Sequence, residues 1–418
     1  MEKVFDCSCY QITKRGLQCI GHWPFQSWRD RVFLRCITFF VISTILVPKI
    51  IKLIESLNDL DMVLECLPII GCYLLGLIKF FNWMIMENHM KQLLLMIQRT
   101  WEDLKVESEL EVLRQYLGQS RRLNIAYTIC FYSVLALYFC SPAVPKILDV
   151  LKPLNESRPR LFLYHTEFFI DQDRYYVYLL IHAYLTVPVG LSYIVVFDNL
   201  FSTLIHHACG MIEILKLRLE ALHLNNTVKG STKFQMIMNR IRTTSTLQSQ
   251  IFKFVETLEA AYSIALLIIV GVNMILIVTG NIAALIKVSH PNEMVRVIIV
   301  NMCALTHLFW SSWLGHNLIV QSEHVFLSTS VYVYLRKFFI LLLIFALFKH
   351  QICIWMFRYQ SKWYLLPCQL QSMLIPIMVR SMKPCRLTAG KLYTMSMESF
   401  GTTLKMMMSF MTVLNSMR

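Results

Sequence analysis

The chain has 418 residues, of which 56% are hydrophobic, and its formal net charge is +14. Soluble globular proteins are about 45–50% apolar, so this composition excludes an ordinary soluble fold. Lys and Arg lie mainly in the loops between apolar runs, a pattern that indicates membrane orientation and a lipid environment, with no nucleic acid as partner.

Apolar runs long enough to cross a bilayer recur along the chain. A helix needs about 20 such residues to span a hydrocarbon core about 30 Å thick. We expect no cleavable signal peptide, so the first run acts as its own insertion signal. The alternation of barrel strands is missing from these runs. The sequence predicts an all-α integral membrane fold with seven transmembrane helices, at 32–54, 62–86, 123–147, 175–201, 258–287, 294–320 and 388–417.

The distribution of basic residues predicts the orientation of these helices. Lys and Arg concentrate in the N-terminal arm 1–31, after the second helix, after the fourth and before the last. The positive-inside rule then gives a cytoplasmic N-terminus and, after seven crossings, an extracellular C-terminus. This orientation is opposite to that of a G-protein-coupled receptor, whose Asp-Arg-Tyr and Asn-Pro-x-x-Tyr motifs are also missing. Asn155, in an Asn-Glu-Ser sequon, falls in a loop that faces outside, so we expect glycosylation there.

The last predicted helix carries a polar stripe. At 100° per residue its members fall within about 80° of one another; they are Thr402, Lys405, Ser409, Thr412 and Ser416. A charge inside a bilayer is costly and tends to face a bundle interior or water. Either the stripe packs against another helix, or its hydroxyls line a path for hydrated ions. One helix cannot enclose such a path, so the second interpretation requires an oligomer.

Four motifs near the end of the sequence resemble those of insect odorant receptors. They are SEHV at 322–325, WYLLP at 363–367, RSMKPCRLTAG at 380–390 and SMESFGTTLKMMMSF at 396–410. The resemblance implies a non-enzymatic subunit of an odorant-gated, non-selective cation channel in the plasma membrane of sensory neurons. It also implies a hetero-oligomer, a tetramer with a shared co-receptor. The family's co-receptor has a long cytoplasmic insertion between helices four and five, and its absence here implies a tuning subunit.

The resemblance also assigns roles to parts of the chain. It places a pocket for a small volatile ligand in the outer half of 32–320, an anchor helix in the cytoplasmic segment 321–387, and the pore along 388–418. The candidate pocket residues are Cys66, Ile70, Tyr73, Leu135, Phe139, Tyr178, His182, Val300 and Cys303. The candidate pore residues are Ser409, Thr412, Asn415 and Ser416. The candidate anchor contacts are Trp363, Leu366, Leu370, Leu374 and Ile377.

One stretch departs from the family pattern. Residues 332–358 form an atypical apolar insert that is long enough to span a membrane. We interpret it as a retained intron, because its Val-Tyr codons can begin with GT and a pyrimidine-rich tract would encode its Phe/Leu/Ile run. The alternative, a real eighth crossing, would reverse the orientation of the last helix.

Three other functions stay open. A gustatory-type ligand-gated channel subunit would end with Thr-Tyr and Gln-Phe pairs, which are missing from the last helix. A secondary transporter is expected to have paired repeats, and the sequence has no internal repeat. A membrane enzyme needs clustered polar residues, yet His206-His207 and His307 with His316 lack companions at ligand spacing. We therefore expect no metal and no cofactor.

Overall fold

A computed structural model describes residues 4–151, 162–164, 166–221, 231–286, 291–327, 368–381 and 383–416. The insert 332–358, the sequon residue Asn155, and the anchor candidates Trp363 and Leu366 lie outside the described residues. Within them the fold consists of α-helices and one short β-hairpin.

The described residues form a series of α-helices with a short β-hairpin before the last one. The helices are α1 (Gln11–Cys19), α2 (Trp28–Glu55), α3 (Leu60–Ile85), α4 (Glu87–Asp103), α5 (Glu107–Cys140), α6 (Val144–Leu151), α7 (Tyr176–Ala221), α8 (Ser231–Ile286), α9 (Pro291–Leu327), α10 (Cys368–Ser381) and α11 (Met397–Ser416). A 3₁₀ turn at Ser141–Ala143 joins α5 to α6. Strands β1 (Thr388–Ala389) and β2 (Tyr393–Thr394) pair antiparallel between α10 and α11.

Six of the described segments are long and apolar enough to cross a membrane: α2, α3, α5 with α6, α7, α8 and α9. They coincide with the first six predicted spans, which confirms an all-α, multi-pass membrane fold. The orientation of the termini stays a prediction. With 46 and 56 residues, α7 and α8 are far longer than the about 20 residues that cross a bilayer.

The seventh predicted span is shorter than its sequence suggested. It begins at Met397, not at 388, because the β-hairpin occupies the intervening residues. Gly390 and Lys391 both adopt positive φ at the turn, a conformation that ends any helix. The backbone N–H of Gly390 donates to the carbonyl oxygen of Ser263 at 2.9 Å, so the hairpin is fixed against α8.

Helix α7 lies at the centre of the bundle and contacts α1, α2, α3, α5, α8 and α9. Its stretch from Phe197 to Ile212 is buried on every side, as expected of a helix surrounded by other helices. His206 and His207 point apart here. His206 Nδ1 bonds the carbonyl oxygen of Ser202 at 2.8 Å, whereas His207 Nδ1 lies 3.2 Å from the hydroxyl of Tyr10 on the N-terminal arm.

The N-terminal arm is attached to the bundle by His22, which is fully buried. Its ring makes edge contacts with Phe80, Trp83, Tyr193 and Phe197. Its Nδ1 bonds the carbonyl oxygen of Ile20 at 2.7 Å. Burial lowers the pKa of His22 to about 3, so the ring is neutral in the folded protein.

Helix α10 covers α8 and α9. Leu370, Leu374 and Ile377 are buried, and Gln248 Nε2 on α8 donates to the carbonyl oxygen of Ile377 at 2.9 Å. These three anchor candidates therefore pack within their own chain, and their contribution to assembly stays a prediction.

Candidate functional site

An apolar cavity lies among α3, α5, α7, α8 and α9. Its volume is about 140 Å³, close to the about 150 Å³ of an apolar cavity that binds benzene. Leucine, isoleucine and valine side chains form most of the wall, as exemplified by Ile69, Leu135 and Val300. Tyr164, from the loop that precedes α7, contributes to the same wall.

Four of the predicted pocket residues meet in this cavity: Tyr73, Leu135, Val300 and Cys303. They come from α3, α5 and α9, so the structure brings together residues that are far apart in the sequence. Their role in ligand binding remains a prediction.

The other predicted pocket residues lie outside the cavity wall. Cys66 and Ile70 are buried against α2, in a cluster that also contains Tyr73 of the cavity wall. Phe139 packs on Tyr184, with ring centroids 4.7 Å apart. Tyr178 is 72% exposed, and His182 Nε2 lies 3.0 Å from Thr44 Oγ1 on α2.

A close approach of α3 to α7 fixes the position of Tyr73. A Cβ atom at Gly190 would lie 2.7 Å from Tyr73 Cε1, so the ring fits there only because α7 has a glycine. Tyr73 is buried, and its hydroxyl has no hydrogen-bond partner among the described residues.

A buried polar cluster lies next to the cavity, and five helices each contribute one residue to it. Lys79 Nζ lies 2.5 Å from Asp198 Oδ1 and 2.8 Å from His307 Nε2. The hydroxyl of Tyr127 donates to Asp198 Oδ2 at 2.8 Å. On the other side of the imidazole, His307 Nδ1 lies 3.2 Å from Asn273 Oδ1. Both nitrogens of His307 therefore have partners inside the protein.

His307 forms part of the wall of two cavities. It lines the apolar cavity and also a second, much smaller space of about 30 Å³, whose wall includes Lys79 and Asp198. Taking charges out of water is costly, so paired charges inside a membrane bundle point to function. Sequence reasoning missed Lys79 and Asp198, although an ionisable residue within an apolar run is the signal that identifies them.

The polar stripe of α11 faces away from the rest of the chain. Thr402, Lys405, Ser409, Thr412 and Ser416 are all exposed. The opposite side packs against α8 and α9 through the buried Thr403 and Met407, and through Phe400 against Phe309. The stripe thus has no packing partner within the described part of the chain. The side chain of Asn415 lies outside the described residues.

The hydroxyls of the stripe bond their own helix. Ser409 donates to the carbonyl oxygen of Lys405, and Thr412 donates to that of Met408, each at 3.0 Å. Because a hydroxyl oxygen keeps acceptor capacity after donating, both oxygens still offer lone pairs to a cation or to water.

The chain was compared with known families and structures. A family model described as "7tm Odorant receptor" matches residues 59–332. The fold is similar to that of the olfactory receptor OR5 from Machilis hrabei in complex with eugenol, with a TM-score of 0.75, 12% identity and coverage of 98% of both chains. A second structure of that receptor gives a TM-score of 0.69 at 11% identity and covers both chains fully. A comparison with curated proteins gave no significant match.

The family match covers well over half of the chain, and the solved structures share its fold from end to end. The motifs in the last hundred residues led to the same family, so that prediction is confirmed. This chain belongs to the insect odorant receptor family, whose members are odorant-gated ion channels and not enzymes.

Proposed function

We propose that this chain is a tuning subunit of an odorant-gated, non-selective cation channel in the plasma membrane of sensory neurons. The observation that carries the proposal is the apolar cavity among α3, α5, α7, α8 and α9. Its apolar lining and its volume of about 140 Å³ suit a small, largely hydrocarbon molecule. The similar fold of OR5, determined in complex with eugenol, supports a ligand of this kind.

The proposed pore is formed by α11. The exposed stripe from Thr402 to Ser416 needs a neighbour, and copies of α11 around a common axis would supply one. Thr412, Asn415 and Ser416 then surround the gate, with Ser409 on the same wall. A shared co-receptor is the proposed partner in a heteromeric tetramer, with the N-terminus cytoplasmic and the C-terminus extracellular.

We infer that gating depends on a difference in ligand affinity between the closed and the open state of the channel. A ligand shifts a closed–open equilibrium only if it binds the open state more tightly. The cavity wall and the helices that pack against α11 share α8 and α9. A change in the spacing of these helices around a ligand is therefore transmitted to the pore helix.

The experiment is to express the chain with and without an odorant co-receptor and to record currents during application of a volatile panel. Odorant-evoked cation current upon co-expression supports the proposal. Current without any partner would refute the requirement for a heteromer, and solute uptake without current would refute the channel.

A secondary transporter is the second candidate, because the buried Lys79–Asp198 pair supplies the ionisable groups that such proteins use within the membrane. The family match favours the channel. The recordings described above, combined with uptake measurements, distinguish the two.

A further inference from the structure

We propose that a crevice between α4, α7 and α8 binds a phosphate group, and that the side chains of Arg99 and Lys253 hold it. The group belongs either to the headgroup of an anionic phospholipid or to a soluble phosphate ester. The crevice shares no wall residue with the apolar cavity, so this site is additional to the proposed odorant site.

The crevice has a volume of about 140 Å³. Met211 and Phe254 form its apolar floor and are buried, and Thr100 Oγ1 lies 3.5 Å from the sulfur of Met211. Arg99 on α4 and Lys253 on α8 belong to the same wall, and both are exposed to solvent. A small anion can therefore reach the two cations from water.

The two cations of the crevice have no counter-ion. Within the described ranges, neither Arg99 nor Lys253 has a side-chain hydrogen bond or an ion pair. Arg218 of α7 is different, because its Nε lies 2.6 Å from Glu109 Oε1. Two like charges on the wall of one crevice repel each other, and an anion between them replaces this repulsion by attraction.

A phosphate group matches this arrangement in charge and in shape. It carries a charge of about −1.5 to −2 at neutral pH and presents three acceptor oxygens. The guanidinium of Arg99 can bind two of these oxygens at once, and the ammonium of Lys253 can bind the same group from the other helix. A carboxylate has a single charge and only two oxygens, so it is the weaker ligand for this pair.

The position of the crevice suits either source of phosphate. Arg99 follows the second predicted span, 62–86, and Lys253 precedes the fifth, 258–287. Both lie on the side that the basic loops predict to be cytoplasmic. At 1.5 Å per residue, Lys253 is about 8 Å along α8 from the start of its span, which is close to the level of the lipid headgroups.

The crevice also lies away from the helix proposed to hold subunits together. Gln248 and Glu256 of α8 bond to α10, at 2.9 Å and 3.0 Å. Gln250 and Lys253 lie on the other side of α8 and face α4. A subunit contact made through α10 would therefore leave the crevice open.

The test measures binding to the purified full-length chain in detergent, from the rise of its melting temperature with added inositol trisphosphate. Sodium chloride at equal ionic strength corrects for general screening. Arg99→Gln, Lys253→Gln and the double variant are compared with the wild type. The matched control is Arg122→Gln with Arg242→Gln, which removes the same charge from two exposed residues outside the crevice wall.

We expect each single substitution to weaken the binding of inositol trisphosphate about tenfold, because each removes a hydrogen bond to a charged group. The double substitution is expected to abolish the phosphate-dependent rise, and the control to retain it.

Asp103→Asn is expected to act in the opposite direction. Asp103 Oδ2 accepts a hydrogen bond from Gln250 Nε2 of the wall at 3.1 Å, so its negative charge lies near the bound anion. Removal of this charge is expected to strengthen binding about two- to fivefold.

Reconstitution distinguishes the two sources of phosphate. The chain is placed in nanodiscs of phosphatidylcholine with and without phosphatidylinositol bisphosphate. Stabilisation by this lipid alone assigns the site to a membrane headgroup, whereas stabilisation by inositol trisphosphate shows that a soluble ester suffices. The proposal is overturned if neither probe stabilises the wild type, if the double variant responds as the wild type does, or if the control loses the response as well.

Discussion

Lys79 on α3 and Asp198 on α7 form an ion pair, with Nζ and Oδ1 2.5 Å apart, in which both side chains are buried between membrane-spanning helices. Tyr127 and His307 bond the same carboxylate, so the pair fixes α3, α5, α7 and α9 relative to one another. Neither charge has an alternative partner in lipid, which makes the cluster sensitive to the loss of either member.

The first prediction concerns this pair. Lys79→Met or Asp198→Asn alone is expected to destabilise the chain by about 3–5 kcal/mol, because each change leaves a buried charge or polar group without its partner. Thermal unfolding of the purified protein in detergent, followed by size-exclusion fluorescence, measures the loss. The double variant is expected to recover much of it. A single variant as stable as the wild type would contradict the assignment.

The second prediction concerns Gly190. Gly190→Ala places a Cβ 2.7 Å from Tyr73 Cε1, a distance that real Cβ atoms do not show, so the tyrosine ring must move. We expect the concentration of odorant for half-maximal current to rise about tenfold or more, since a small misplacement of one wall residue costs roughly 1–3 kcal/mol. The matched control is Gly118→Ala on α5, where an added Cβ meets nothing within 4 Å. An equal effect of both substitutions would show that the contact with Tyr73 is unimportant.

The third prediction concerns pH. The pKa of His22 is about 3 in the folded chain because of burial, and its ordinary value is 6.5. The unfolded chain therefore binds a proton that the folded chain does not, and this contribution to stability is lost as the pH falls from 6.5 towards 3. Each pH unit in this window costs about 1.4 kcal/mol for one such group.

His22→Asn keeps a donor near Nδ1 but does not titrate. We expect its stability to vary less between pH 6.5 and 5 than that of the wild type, by about 2 kcal/mol. Denaturant unfolding at the two pH values measures the difference. Identical pH dependence in both proteins would show that His22 is not responsible.

The fourth prediction tests the pore helix. Replacing Thr412 by Asp adds a negative charge to the exposed stripe, so we expect permeation to shift in favour of divalent over monovalent cations, measured from reversal potentials. Met407→Gln is the control, since Met407 is buried against the chain's own helices. Unchanged selectivity in Thr412→Asp, with normal surface expression, would argue against a pore-lining role.

The six long spans were predictable because a bilayer demands continuous apolar runs, and such runs are visible without any knowledge of packing. The start of α11 could not be predicted from the sequence, since the hairpin at Thr388–Thr394 depends on contacts of Gly390 with Ser263 on α8. Leu392 lies within the predicted span 388–417 and, from the sequence alone, is compatible with an apolar helix.

The cavity wall was only half predictable. Ile69 lines the cavity and its neighbour Ile70 does not, because adjacent helical residues point about 100° apart and only packing fixes which one faces inward. The pairing of Lys79 with Asp198 could not be predicted either, because a single sequence does not show which of its distant polar residues are in contact.

Helix α7 contains Pro188, between Val187 and Gly190 of the cavity wall. Proline removes one backbone hydrogen bond and so weakens the helix at that level. The helix continues from there to Ala221, a rod about 50 Å long at 1.5 Å per residue. A ligand in the cavity therefore lies against the level at which the backbone of α7 is weakest, just before the segment that the Lys79–Asp198 pair fixes.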